Sequence, residues 1–116
     1  MTVKEFYESI GSDYNVALSR LMDDNFITKL LTKFKTDQNY ANLESTMSSG
    51  DIKGAFTAAH TLKGLALNLG MDALGRTASE LTEALRSEDG EKAKTLMPPV
   101  VEEYKKVTAA LAQLIQ

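Results

Sequence analysis

The segment AHTLKGLALNLG, residues 59–70, has the pattern of a buried helix apart from two glycines and a lysine, and it carries the only histidine of the chain, His60. Its apolar residues recur at spacings of three and four, a period that predicts an amphipathic α-helix. Glycine in a helix interior costs about 1 kcal/mol relative to alanine. The sequence therefore raises the question of why Gly64 stands one turn after a lone histidine, with Lys63 beside it.

A helix turns by about 100° per residue, so the sides of a helix over residues 51–69 can be assigned. The side expected to face the core carries an apolar stripe of Ala55, Ala59, Leu62, Ala66 and Leu69. His60 lies roughly 140° from the centre of this stripe and is expected to point outward. Around it lie Phe56, Lys63, Gly64 and Leu67. Two interpretations stay open: the N-terminal segments cover this mixed surface, or Phe56 and Leu67 help to form a docking surface. Both can also apply, with Phe56 partly covered and Leu67 partly open.

The residues around His60 suit phosphoryl chemistry. A neutral imidazole nitrogen is a good nucleophile near pH 7. Lys63 places a cation where it would stabilise the roughly two negative charges of a phosphoryl group. Gly64 lacks the side chain that would crowd the imidazole, so a large partner can approach. If the chain reverses near residue 70, His60 lies level with Thr82, and Arg86 one turn beyond can reach back toward the ring.

The helical spacing extends over nearly the whole chain, and no segment alternates as a strand does. It predicts an all-α protein with short N-terminal helices in residues 1–22 and longer helices at 24–48 (bent), 51–69, 72–87 and 98–115. Four amphipathic helices with short loops indicate an antiparallel four-helix bundle over residues 24–115. We expect the N-terminal helices to cover one end or side of it, and residues 1–116 to form a single domain.

Polar residues and glycines predict where these helices begin and end. The segment Gly11-Ser12-Asp13 offers a capping residue for the second helix, and Asp51 and Asp72 are candidate N-caps. Gly50 and Gly70 are candidate left-handed stops. Pro98-Pro99 should forbid an unbroken helix, because each proline lacks a backbone donor and clashes with the preceding turn.

Composition excludes several classes of function. The 116 residues carry a net charge of −3, so there is no overall basic footprint for nucleic acid. The absence of cysteine excludes disulfides, thiolate metal sites and cysteine nucleophiles. Neither a signal peptide nor an apolar run of membrane-spanning length is evident, so the cytoplasm is the expected location and no membrane partner is expected.

The run His60-Thr61-Leu62-Lys63-Gly64, followed by Leu69-Gly70, resembles the signature of the histidine-containing phosphotransfer (HPt) domain family. With the chain length and helical pattern, the resemblance covers essentially the whole chain. It implies a phosphorelay intermediate: His60 accepts a phosphoryl group from a receiver-domain aspartyl phosphate and passes it to another receiver aspartate. Lys63 would assist the phosphate and Gly64 would clear its approach.

The resemblance also implies partners, namely response-regulator receiver domains and a hybrid sensor histidine kinase. Magnesium is expected on the receiver, and no cofactor on this chain. Some family members carry a glutamine near the imidazole on the neighbouring helix, where this chain has Thr82. Phe56, Leu67 and Arg86 are the residues expected to contact a partner. A monomer suits a surface that must dock successive partners.

Other functions remain open. The chain can instead be the phosphoaccepting domain of a chemotaxis-type histidine kinase, or a helical interaction module without chemistry. An enzyme is the weakest alternative, because no carboxylate lies three or four residues from His60. No phosphate-binding G-x-x-x-x-G-K-[ST] loop is present, which argues against a complete kinase. A single histidine without cysteines also lacks the ligands of a metal site.

Overall fold

The computed structural model describes residues 1–115, and every regular element in this range is an α-helix. The predicted all-α class is therefore confirmed. Seven helices occur between residues 1 and 115: α1 (Val3–Ser9), α2 (Tyr14–Leu21), α3 (Asp24–Lys35), α4 (Asn39–Ser49), α5 (Ile52–Asn68), α6 (Asp72–Arg86) and α7 (Gly90–Leu114). His60 lies in the middle of α5.

Helices α4 to α7 pack on one another in chain order, α4 on α5, α5 on α6 and α6 on α7. Two contacts give the register of α5 against α6. The Arg86 guanidinium lies over the Phe56 ring, and a Cβ atom at Gly75 would overlap the Leu67 side chain. Residue numbers fall along α6 as they rise along α5, so these two helices run antiparallel. His60 is consequently level with Thr82, as the sequence predicts.

The core lies between these helices and is built largely from the predicted stripe of α5. All five residues of that stripe are buried. Thr82 of α6 is 0% exposed, and its hydroxyl donates a hydrogen bond of 2.7 Å to the carbonyl of Ala78. Because that hydroxyl is satisfied within its own helix, its burial leaves no unpaired polar group.

The N-terminal helices pack over the end of α5 that follows His60. Phe6 and Tyr7 of α1 are fully buried, and the Tyr7 hydroxyl donates a hydrogen bond of 2.7 Å to the carbonyl of Leu69. Burial, together with the nearby Asp72 carboxylate, raises the pKa of Tyr7 to about 12. The α5–α6 turn is therefore tied directly to α1.

Residues 24–48 form two helices and not the single bent helix expected; the interruption lies at Thr36-Asp37-Gln38-Asn39, a segment whose residues predict a break or a bend. Helix α3 ends at Lys35 and α4 begins at Asn39. The Asp37 carboxylate accepts a hydrogen bond of 2.9 Å from the Asn39 backbone N–H. Such a local side-chain acceptor competes with the continuing helix, and here it organises the break.

Helix α7 runs from Gly90 to Leu114 with Pro98 and Pro99 inside it, so the predicted new start at residue 98 was also wrong. The two prolines remove hydrogen bonds within the helix. However, Ala93 before them and Val100 after them are both 0% exposed. Tertiary burial on both sides holds the two halves in one helix, which local preferences alone do not support.

Most of the predicted helix ends agree with the structure. Asp13 caps α2 and Asp51 caps α5 through their side chains, while Gly50 and Gly70 adopt left-handed φ values of 76° and 75°. The prediction for Asp72 was wrong, because Met71 precedes α6 and offers no side-chain cap. The loop before α2 supplies an acceptor instead: the Asp72 N–H donates to Ser12 Oγ at 3.4 Å.

Candidate functional site

His60 stands on the side of α5 away from the core. Its side chain is exposed, in agreement with the helical wheel, whereas its neighbour Ala59 is 0% exposed. The imidazole forms no hydrogen bond with any group in residues 1–115. Its nitrogens are therefore available to a partner. Asp51 caps the start of this helix, and the left-handed Gly70 follows its end.

Phe56, one turn before His60, forms one wall of the site. Its ring is parallel to the imidazole, with an interplanar angle of 6° and 5.6 Å between ring centroids. Helical side chains lean toward the N-terminus, which brings the imidazole over the turn that carries Phe56. Phe56 is half-buried and packs against the core. It is thus partly covered, by Arg86 of α6 rather than by the N-terminal segments, and partly open to a partner.

The turn after His60 is open. A Cβ atom at Gly64 would meet no heavy atom within 4 Å outside its own helix backbone. The glycine is therefore not required by close packing, in contrast to Gly75. A longer side chain here would lean back over His60, for the geometric reason given above. Lys63 is half-buried and forms no ion pair among the residues described.

Arg86 reaches α5, but its contact is with Phe56 and not with the imidazole. Its guanidinium carbon lies 4.9 Å from the centroid of the Phe56 ring, within the range of a cation–π contact. Its Nε pairs with the Glu83 carboxylate at 3.0 Å. Glu83 was not predicted from the sequence, although the spacing of three residues on a helix is a usual signal for such a pair.

Leu67 is 40% exposed and continues the open side of α5 beyond Gly64. Its carbonyl accepts a hydrogen bond of 2.6 Å from Nη1 of Arg20 in α2. Arg20 was not predicted from the sequence either. No local signal identifies it, because 47 residues separate the two groups.

A shallow groove of about 370 Å³ lies beside Phe56, between the first half of α5 and the end of α6. Ile52, Phe56 and Leu85 supply apolar surface, while Lys53, Arg86 and Glu88 supply charges. The predicted contact residues Phe56 and Arg86 thus share one concave surface. Leu67 lies on the other side of His60 along α5.

Two features are absent from residues 1–115. No group of three or more histidine, cysteine or acidic side chains stands close enough to hold a metal ion. No helix is both long enough and apolar enough to cross a membrane.

Comparison with known protein families gives one match. The model of the Hpt domain matches residues 29–116, which include His60, Lys63, Gly64 and helices α4 to α7. There is no significant match among curated proteins or solved structures. Hpt domains are phosphocarrier modules of two-component signalling rather than kinases, and they interact with receiver domains and histidine kinases. The family model covers most of the chain, including the residues around the exposed histidine. This chain therefore belongs to the Hpt domain family.

Proposed function

We propose that this chain is a phosphorelay intermediate that carries a phosphoryl group on His60. The observation that supports the proposal most directly is the exposed, unbonded imidazole beside the open space over Gly64. A nucleophile that must reach a phosphorus atom held by another protein needs this kind of access. Membership of the Hpt domain family supports the same role.

The proposed transfer begins with a receiver domain that carries an aspartyl phosphate. An unprotonated imidazole nitrogen of His60 attacks the phosphorus, a nitrogen–phosphorus bond forms, and the bond from phosphorus to the aspartyl oxygen breaks. The freed carboxylate keeps the electron pair. In the second transfer another receiver's aspartate attacks the phosphorus and the nitrogen–phosphorus bond breaks. The imidazole takes that electron pair and leaves as a neutral ring, because its other nitrogen has kept its proton.

Phosphoryl transfer depends mainly on alignment and charge neutralisation. In the proposal, Lys63 neutralises part of the charge on the phosphorylated imidazole and Gly64 leaves room for the approach. The receiver supplies the aspartate and a bound magnesium ion, so this chain needs no cofactor. Its own contribution is a histidine held on a helix that packs into an antiparallel four-helix bundle of α4 to α7.

The docking surface in this proposal comprises Phe56, Leu67 and Arg86, with the groove beside Phe56 as its concave part. Its apolar walls and its charges suit a partner of mixed polarity. The partners are response-regulator receiver domains, one of them in a hybrid sensor histidine kinase. A monomer located in the cytoplasm fits successive docking of these partners.

The decisive test is transfer of label from phosphorylated receivers. The protein and its His60→Gln variant are each mixed with a panel of labelled receiver domains, and protein-bound label is followed with time. His60 is the only histidine, so acid-labile label on this chain has a single imidazole as its site. We expect label on the wild type and none on His60→Gln.

Other results would contradict the proposal in different ways. Label that arrives only from a histidine kinase with ATP indicates the phosphoaccepting domain of a chemotaxis-type kinase. A complete absence of label from both sources indicates an interaction module that has kept the fold without the chemistry. Equal labelling of His60→Gln would remove His60 as the phosphorylated residue.

A further inference from the structure

The imidazole of His60 has no hydrogen bond to orient it, which raises the question of what holds its ring plane. Thr82, level with it on α6, is fully buried, and its hydroxyl donates to the Ala78 carbonyl. On the other side, the position of Gly64 carries no side chain. An exposed side chain without contacts moves between rotamers within nanoseconds. Transfer to a phosphorus atom, however, needs an aligned nitrogen.

One contact is available to align the ring, and it is the parallel stack on Phe56. The separation of 5.6 Å and the angle of 6° fall within the offset-stacked range of aromatic pairs. Only the face of the imidazole is engaged in such a stack, so the nitrogens at its edge stay free to react. A hydrogen bond from a neighbouring side chain would instead occupy one nitrogen.

The Phe56 ring is itself held in place. It packs against the core, and the Arg86 guanidinium covers it at 4.9 Å from the ring centroid. Arg86 is restrained in turn by its ion pair with Glu83 at 3.0 Å. A series of contacts therefore runs from Glu83 through Arg86 and Phe56 to the imidazole. It couples the orientation of the histidine to the packing of α5 on α6.

We infer that Phe56 is a positioning residue, which orients the His60 imidazole for phosphoryl transfer by stacking on its face. The inference rests on the proposed function and adds a role for Phe56 beyond contact with a partner. Arg86 acts on the histidine indirectly, by holding the Phe56 ring. Phe56 touches neither the phosphoryl group nor the receiver's aspartate in this role.

The test compares Phe56→Leu, which keeps apolar bulk without a ring, with Phe56→Tyr, which keeps the ring. Because His60 is the only histidine, its imidazole C–H protons give unambiguous NMR signals. Leu67→Ala serves as the control on the same open side of α5. We expect Phe56→Leu to remove the ring-current shift of these protons, whereas Phe56→Tyr and Leu67→Ala retain it.

Transfer rates are then measured over a range of receiver concentrations. Loss of the stack should lower the maximal rate of Phe56→Leu about three- to tenfold, the factor that the coupling energy of an aromatic pair predicts. Any lost contact with the partner changes the half-saturating receiver concentration instead, so the maximal rate reports on alignment alone, and Phe56→Tyr should restore it. All variants are first checked for cooperative thermal unfolding, so that a fold defect is not mistaken for lost alignment.

Three results would overturn the inference. Unchanged imidazole signals in Phe56→Leu would show that the rings do not stack in solution. A change confined to the half-saturating concentration would make Phe56 a docking residue only. If the wild-type protein accepts no label, the proposed function falls together with this inference. If the wild type is labelled and Phe56→Leu keeps the same maximal rate, only this inference falls.

Discussion

At the scale of single residues, Gly64 of α5 and Gly75 of α6 differ in the reason for their presence. A side chain at Gly75 would displace Leu67, since its Cβ would lie 2.8 Å from Leu67 Cγ. A Cβ at Gly64 would meet no heavy atom within 4 Å outside its own helix backbone. Gly75 therefore allows α5 and α6 to approach, whereas Gly64 lowers helix stability without a packing gain. Access to His60 is the remaining physical reason for Gly64.

Gly64→Gln should separate stability from function. We expect the free energy of unfolding to rise by about 0.5–1 kcal/mol, because glutamine favours the helix and meets no obstruction. Phosphotransfer should slow by about tenfold or more, since the new side chain leans over the imidazole and displaces the partner. Urea unfolding and receiver-dependent labelling measure the two effects.

The matched control for that variant is Asn68→Gln, a substitution at an exposed position two turns beyond His60 in the same helix. It places a glutamine in the same helix without covering the imidazole, so transfer should stay close to the wild-type rate. Normal transfer in Gly64→Gln would remove the access explanation for this glycine.

At the scale of helices, α7 shows tertiary packing prevailing over local preference. Two consecutive prolines lie inside it, and each costs about 3 kcal/mol relative to alanine in a helix interior. Ala93 and Val100, on either side of the prolines, are buried in the core and help to hold α7 together. Between α3 and α4 the flanking residues Phe34 and Leu43 are buried as well. There, however, the Asp37 carboxylate accepts the Asn39 N–H and organises a break.

Pro98→Ala should stabilise the protein. Pro98 is exposed, so the substitution removes little packing while it restores a backbone donor for the Lys94 carbonyl. We expect the free energy of unfolding to rise by about 1–3 kcal/mol, the upper figure being the full propensity difference. Thermal unfolding followed by circular dichroism measures the change, and a lower stability would mean that α7 depends on the proline rings.

At the scale of the whole molecule, the N-terminal helices hold the end of the α5–α6 turn. The buried hydrogen bond from Tyr7 to the Leu69 carbonyl joins residues 62 positions apart. Arg20 adds a second link, to the Leu67 carbonyl at 2.6 Å. Both links act on the half of α5 that follows His60, so they stabilise the helix that presents the imidazole while leaving its open side free.

Alkaline unfolding should report on the Tyr7 link. Burial raises the folded-state pKa of Tyr7 to about 12, while the phenol of the unfolded chain ionises near pH 10. Above pH 10 the unfolded state binds fewer protons than the folded state, so stability falls as pH rises toward 12. Tyr7→Phe should make the fall in unfolding free energy with pH less steep, by up to about 1.4 kcal/mol per pH unit.

The same variant has an internal control at lower pH. Between pH 7 and 9 no tyrosine ionises in either state, so Tyr7→Phe should be less stable by a constant amount of about 1 kcal/mol for the lost hydrogen bond. The difference should then shrink above pH 10, as measured by urea unfolding at a series of pH values. A difference that stays constant to pH 12 would contradict a raised pKa for Tyr7.

The sequence alone determined the features whose causes are local. The period of the apolar residues set the helical class and the core side of α5, and Asp51 and Gly70 set its ends. The same wheel placed His60 outward beside Phe56, Lys63, Gly64 and Leu67. Each of these conclusions needs only helix geometry, capping and residue type, which act over a few residues. Even the register of His60 with Thr82 follows from the short α5–α6 turn.

Only the tertiary structure decided the features that depend on contacts between distant segments or on side-chain conformation. Continuity of α7 through its prolines depends on burial against other helices, and the contact of Arg20 depends on how α2 packs on α5. Arg86 was expected near the imidazole, yet its guanidinium lies over Phe56. Helix geometry gives the distance that an arginine side chain can reach. Which partner it contacts depends on the charges and rings around it, and these come together only when the helices have packed.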